Sequence, residues 1–223
     1  LLDADANSDY VGQAAATRVM RRRADLAMLW PRRGAAVDAF SYLSVLISII
    51  LGIALTQLLT GAGRLIRVRD RVRFYLPAAL WMAVLFIIIV QGWWTMFTLR
   101  LYTTWTIDRF IVVLLHPTVL YLLVELNMPE AAGEGAIDMK ANYFRQAPAF
   151  FIALIGLLVV SMLRPIILDG HFAEPLDIIF HLAFTVFAVV AASWRNDAFH
   201  RITAPAVLIM LFVYIALLFT MLR

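Results

Sequence analysis

From Phe40 to Thr60 the chain carries no charged residue, and soon afterwards come Arg64, Arg67, Arg69, Arg71 and Arg73, opposed only by Asp70. At about 1.5 Å per residue, a helix over this stretch crosses the ~30 Å hydrocarbon core of a bilayer. An arginine cluster at its end is retained on the cytoplasmic side. A chain with one such segment folds in lipid, and the composition agrees. Hydrophobic residues make up 63% and charged residues 15%, where soluble domains carry roughly a quarter charged residues. Mean hydropathy is +0.86. The expectation is an all-α, polytopic transmembrane bundle.

Further apolar windows at about 74–97, 107–127, 148–168, 176–194 and 203–222 bring the count to six spans. Residues 37–223 then form one membrane domain. Residues 1–36 differ in character, being rich in Ala, Asp and Arg, and read as a basic, disordered tail or an upstream extension. The segment 129–147, with Pro129, Gly133 and Gly135, reads as an irregular loop or a short surface helix. Trp93, Trp94, Tyr102 and Trp105 cluster at the end of the second span, where an aromatic belt meets the interface.

Charge sets the orientation. Without residues 1–36, the loops on the side of the arginine hinge hold nine Lys/Arg and the opposite loops four. That places the hinge in the cytoplasm and both chain ends outside. The six arginines of the tail would reverse the balance, so topology depends on whether the tail is retained. The net charge of +4 comes from arginine (Lys140 is the sole lysine) and points to anionic lipid, with no sign of a nucleic-acid partner. The chain has no cysteine, which excludes disulfides, thiolate chemistry and Cys-ligated metal centres.

Two patterns bear on packing. Ser41, Ser44, Ser48, Gly52, Thr56, Thr60 and Gly63 recur every three or four residues and share one face of the first helix. Such a face admits a close neighbour, and it predicts a first helix packed through its Ser/Gly/Thr side at the bundle centre. The halves also resemble each other. Pro117-Thr-Val-Leu in the third span parallels Pro205-Ala-Val-Leu in the sixth, and Leu51-Gly-Ile in the first parallels Ile155-Gly-Leu in the fourth. Three spans per half would make this a 3+3 inverted repeat, an arrangement used by secondary transporters.

Polar residues inside spans are the functional candidates, because lipid penalises them. They are Gln57 beside Thr56, Gln91 near Thr95, His116 and His181. Each serves either an interhelical hydrogen bond or a solute path. The two histidines lie at similar depth on spans running in the same direction, a placement that also suits axial haem ligation. Nothing else marks a haem pocket, and no cofactor is assigned. Glu125 and Arg164 sit near span ends, where solvation, arginine pairing or snorkelling accounts for them. The Asp169–Asp177 loop offers Asp, His and Glu side chains, but at no recognised metal-ligand spacing. There is no GxSxG, P-loop, HExxH or dinucleotide fingerprint. No serine has an evident base partner, so no catalytic or metal-binding residue is assigned.

The run Asp38-Ala-Phe-Ser-Tyr-Leu-Ser-Val-Leu-Ile-Ser-Ile-Ile-Leu-Gly-Ile-Ala-Leu-Thr-Gln57, with the hinge after it and Gln91-Gly-Trp-Trp94 as a weaker match, resembles a group of uncharacterised bacterial multi-pass inner-membrane proteins. Members of the group begin close to this run. The resemblance implies a bacterial inner membrane and carries over no activity. The function expected from the sequence is a non-catalytic membrane component that assembles with itself or with another subunit. The alternative is a small-solute or ion transporter with its path near the bundle centre.

Overall fold

The computed structural model describes residues 39–129 and 135–218, and the 1–36 tail lies outside these described residues. Among the described residues six helices are long and apolar enough to cross a membrane: α1 (Ala39–Arg67), α2 (Leu76–Met96), α3 (Ile107–Asn127), α4 (Met139–Asp169), α5 (Pro175–Ser193) and α6 (Asp197–Leu218). The chain is a multi-pass, all-α membrane protein.

Local chemistry sets the helix ends. Pro77 occupies the first turn of α2, where its missing N–H costs nothing. Asp138 caps α4 by accepting from the Ala141 N–H at 2.9 Å, and Gly170, at φ +74°, ends it in the left-handed region. The carboxamide oxygen of Asn196 accepts from the N–H groups of Ala198 and Phe199 and starts α6. Two helices therefore begin earlier than hydropathy alone predicts, α4 at Met139 rather than at 148 and α6 at Asp197 rather than at 203. Pro148 and Pro205 lie inside them. A proline in a helix interior forfeits one hydrogen bond, which packed neighbours tolerate. At 31 residues, α4 is about 46 Å long. That exceeds the ~30 Å hydrocarbon core, and its first turns, at residues 139–145, are the more polar end.

On the side of the arginines, called here the arginine face, a short 3-10 turn at Arg69–Arg71 leads to β1 (Val72–Arg73). This strand pairs in parallel with β2 (Ile137–Asp138). Arg71 donates to the carbonyl of Gly135 at 2.9 Å, and Arg73 lies 3.6 Å from Asp138. Most of the segment expected to be a loop is thus a bridge and the start of α4. Arg64, Arg67, Arg69, Arg71 and Arg73 are all exposed, as a topology signal at the lipid interface requires.

The centre of the bundle is α4, packed mainly on α3 and α5, while α2 leans on α6. The first helix sits at the edge, against α3 and α2. It turns Leu43, Ile47, Leu51, Ala54 and Leu58 inward, none more than 4% exposed. Ser41, Thr56 and Thr60 are exposed, Ser44 and Ser48 are half-buried, and a Cβ on Gly52 would meet nothing within 4 Å. The small-residue face is therefore not the one α1 presents to its own bundle. Helices in lipid gain from dispersion contacts, and a leucine ridge supplies more of these than a serine ridge. Gly52→Leu is expected to leave thermal stability unchanged or raise it by up to about 1 kcal/mol through helix propensity. A large loss in detergent unfolding would contradict this placement.

The contacts do not follow the repeat suggested by the motifs. In the first half α1 packs on α3, whereas in the second half α4 packs on α5, and the α3–α4 pairing has no counterpart between α6 and α1. Prolines near helix starts and Leu/Val runs recur because all six segments face lipid, and that similarity does not extend to packing.

Candidate functional site

Between α2, α4, α5 and α6 lies a cavity of about 920 Å³, closed on one side by α3 through His116. Its inner part is apolar. Trp81, Val84, Leu154, Leu157 and Val207 line it, each no more than 5% exposed. Trp81 packs edge-on against Phe150 and Phe151 and stacks on Phe187, which fills the space towards the arginine face. Further out, a polar collar follows, with Gln91 from α2, His116 from α3, Ser161 and Arg164 from α4, His181 from α5 and Tyr214 from α6. At the mouth, on the face opposite the arginines, stand Tyr102, Asp169 and Glu174. From the outer end of α4 at Asp169, Arg164 is about 8 Å deep and Ser161 about 12 Å at helical rise.

The structure gathers three of the four polar positions singled out in the sequence. Gln91, His116 and His181 line this one cavity. Gln57 does not, since its amide donates to Glu125 at 2.8 Å and ties α1 to α3. Of the two explanations offered for Glu125, solvation holds, since it is exposed, and its hydrogen-bond partner is Gln57. His181 has both ring nitrogens engaged: Nδ1 lies 2.9 Å from the Asp177 carbonyl oxygen and 3.1 Å from its Oδ1, and Nε2 lies 2.9 Å from Ser161 Oγ. It is not poised as an iron ligand. His116 differs, because its Nδ1 is buried with no hydrogen-bond partner among the described residues. No group of three His, Asp or Glu side chains among the described residues could hold a metal ion.

Ser161 and Tyr214 do not stand out in the sequence, and Arg164 and Asp177 read there only as a snorkelling arginine and a loop carboxylate, yet all four line this cavity. The signal available was spacing. Ser161 and Arg164 are three apart and Asp177 and His181 four apart, so each pair shares a helix face. Tyr214 donates to Asp177 at 2.8 Å, and Tyr102 donates to Asp169 at 2.6 Å. Two of the three carboxylates are thereby hydrogen-bonded, while Glu174 is exposed at the start of α5. Arg164 is half-buried and makes no hydrogen bond or salt bridge with the described residues, although the Asp169 carboxylate and the Tyr102 and Tyr214 hydroxyls lie near enough to act on its charge. It does not simply snorkel to the interface.

No family model, curated protein or solved structure matches the chain.

At the mouth, burial and the bond to Asp169 push the Tyr102 phenol up to about 12. A folded-state value above the ordinary ~10 means the proton is held more tightly in the folded protein. The stabilisation is therefore complete below pH ~10 and fades as pH rises towards 12. Difference absorbance at alkaline pH between the wild type and Tyr102→Phe should show one phenol ionising well above 10. In Asp169→Asn that step moves down but stays above 10, because burial is the larger cause. A Tyr102 step at 10 in the wild type would be inconsistent with its burial and its bond to Asp169.

Proposed function

We propose that this protein binds an amphiphile bearing an anionic group, a phosphate or a carboxylate, with its apolar chain in the cavity. The observation that carries the reading is Arg164. Its guanidinium makes no hydrogen bond or salt bridge with the described residues and the Asp169 carboxylate attracts it only from beyond 4 Å, so a closer anion would offset the cost of placing this charge between an apolar pocket and an interface. The polarity gradient supports the same ligand class. Apolar walls below Ser161 suit an acyl chain, the collar suits an anionic group, and the acidic, water-facing mouth suits a headgroup that carries an amine.

In a bacterial inner membrane with the arginine face in the cytoplasm, the mouth opens to the outer leaflet. This narrows the transporter expectation to a site entered from one side, since Trp81 and its ring neighbours occupy the inner end.

The test is quenching of Trp81, which lies at the far end of the chain-binding part. The purified protein is titrated with a fatty acid brominated near its methyl end, and Trp81→Phe isolates the relevant signal. Saturable quenching, competed by an unbrominated fatty acid but not by an alkyl trimethylammonium of equal length, is expected. Equal competition by the cationic amphiphile would sink the reading.

A second reading, a subunit that assembles with itself or another chain, is favoured by the Ser41, Ser44, Ser48, Gly52 and Thr56 side of α1 being turned away from its own bundle. Under it, Gly52→Leu lowers the native mass in mild detergent. An unchanged mass removes this reading.

A further inference from the structure

Ser161, His181 and Asp177 are joined in series on the cavity wall. The Asp177 main-chain carbonyl and Oδ1 both face His181 Nδ1, at 2.9 and 3.1 Å. Both are acceptors, so in the neutral ring Nδ1 carries the proton and Nε2 is the base. Ser161 Oγ then donates its proton to Nε2 across 2.9 Å. Tyr214 donates to the same Asp177 Oδ1 at 2.8 Å, so that oxygen is held by both the phenol and the imidazole. A hydroxyl on a base, with that base oriented by a third group, is the arrangement of an activated nucleophile.

Placement adds to the geometry. An ordinary interhelical hydrogen bond closes a seam, whereas all three residues here line an open cavity. Ser161 also lies where the wall changes from apolar to polar. An amphiphile bound with its anionic group at Arg164, one turn further out on the same face of α4, brings its acyl linkage to that level.

We propose that the protein is a membrane-embedded serine acyl hydrolase acting on an ester-linked amphiphile, a reading that rests on the binding mode above. Ser161 Oγ attacks the ester carbonyl carbon while its proton passes to His181 Nε2. The C–O bond to the alcohol breaks, and the alcohol leaves with the proton from Nε2. Water entering from the mouth then gives a proton to Nε2 and its oxygen to the acyl carbon. The Ser161 ester opens, the carboxylic acid departs and Ser161 recovers its proton. Asp177 positions His181 and stabilises the imidazolium of each half-reaction. A helix interior offers no free backbone N–H for the oxyanion, so donors come from the collar, where Gln91 and His116 lie in the same cavity.

The full chain in phospholipid nanodiscs is treated with a long-chain alkyl fluorophosphonate, and the labelled peptide is identified by mass. Labelling at Ser161 is expected, with loss in Ser161→Ala and a fall of about 10²- to 10⁴-fold in rate in His181→Gln. Because the chain has no cysteine, Ser161→Cys gives a unique thiol. Its alkylation should show the acid-shifted pH profile of a His-paired thiolate and lose it when His181→Gln is added. A folded protein that is not labelled at Ser161, or is labelled equally without His181, overturns the inference. If brominated fatty acid still quenches Trp81 in that protein, hydrolysis fails alone. If quenching is also absent, the binding mode fails with it.

Discussion

Arg164→Met is expected to weaken binding of an anionic amphiphile by roughly ten- to a hundredfold, the equivalent of losing one charge-assisted contact of about 1.5–3 kcal/mol. The same variant should unfold no more easily than the wild type, because it removes a half-buried charge that makes no hydrogen bond or salt bridge with the described residues. This combination separates a ligand-binding arginine from a structural one, whose removal costs stability. Arg164→Lys should keep part of the affinity, since it retains the charge but not the planar fork. Trp81 quenching gives the affinities and detergent thermal unfolding the stabilities. Unchanged affinity in Arg164→Met would remove the carrying observation.

Trp81→Ala is expected to have the largest effect on stability, a loss of about 2–4 kcal/mol. In water-soluble cores an aromatic-to-alanine change costs about 3–5 kcal/mol, a figure that includes transfer from water. Helices already in lipid lack most of that transfer term and keep the packing loss. At Trp81 the packing loss is considerable, because the ring is 2% exposed and touches Phe150, Phe151 and Phe187 across three helices. Trp81→Phe should recover more than half of the loss. Thermal unfolding in detergent checks both variants, and a Trp81→Ala protein as stable as the wild type would mean that these rings are not the joint between α2, α4 and α5.

A second buried cluster near the arginine face needs no ligand to explain it. His200 is 1% exposed, with Nδ1 2.9 Å from the Tyr143 hydroxyl and Nε2 3.0 Å from the Trp194 carbonyl oxygen. Rings of Tyr143, Phe144, Phe151 and Phe199 surround it. With both nitrogens engaged, it ties α6 to α4 and to the end of α5. His181 is engaged as fully, but its partners line an open cavity. That contrast separates a structural histidine from a candidate catalytic one.

Local composition is enough to place this chain in lipid as a bundle of six spans. Length, apolarity and the placement of arginine decide whether a segment spans a bilayer, and these are local properties, so all six spans were legible before any contact was known. Helix starts were less legible. Hydropathy does not register the caps at Asp138 and Asn196, nor the capacity of packed helices to carry Pro148 and Pro205. The packing face of α1 is the one carrying Leu43, Ile47, Leu51, Ala54 and Leu58 and not the Ser41–Thr60 small-residue face, because helical periodicity defines several faces and only the neighbours decide which one is buried. The tertiary structure alone decided the site. His181 is recognisable as an intramembrane polar residue, but its partner Ser161 lies on another helix 20 residues earlier. The electrostatic surroundings of Arg164 and the His116 nitrogen that has no hydrogen-bond partner among the described residues are properties of a wall assembled from four or five helices. Helix-to-helix register is set by the summed packing of whole faces, and no single stretch of sequence encodes it.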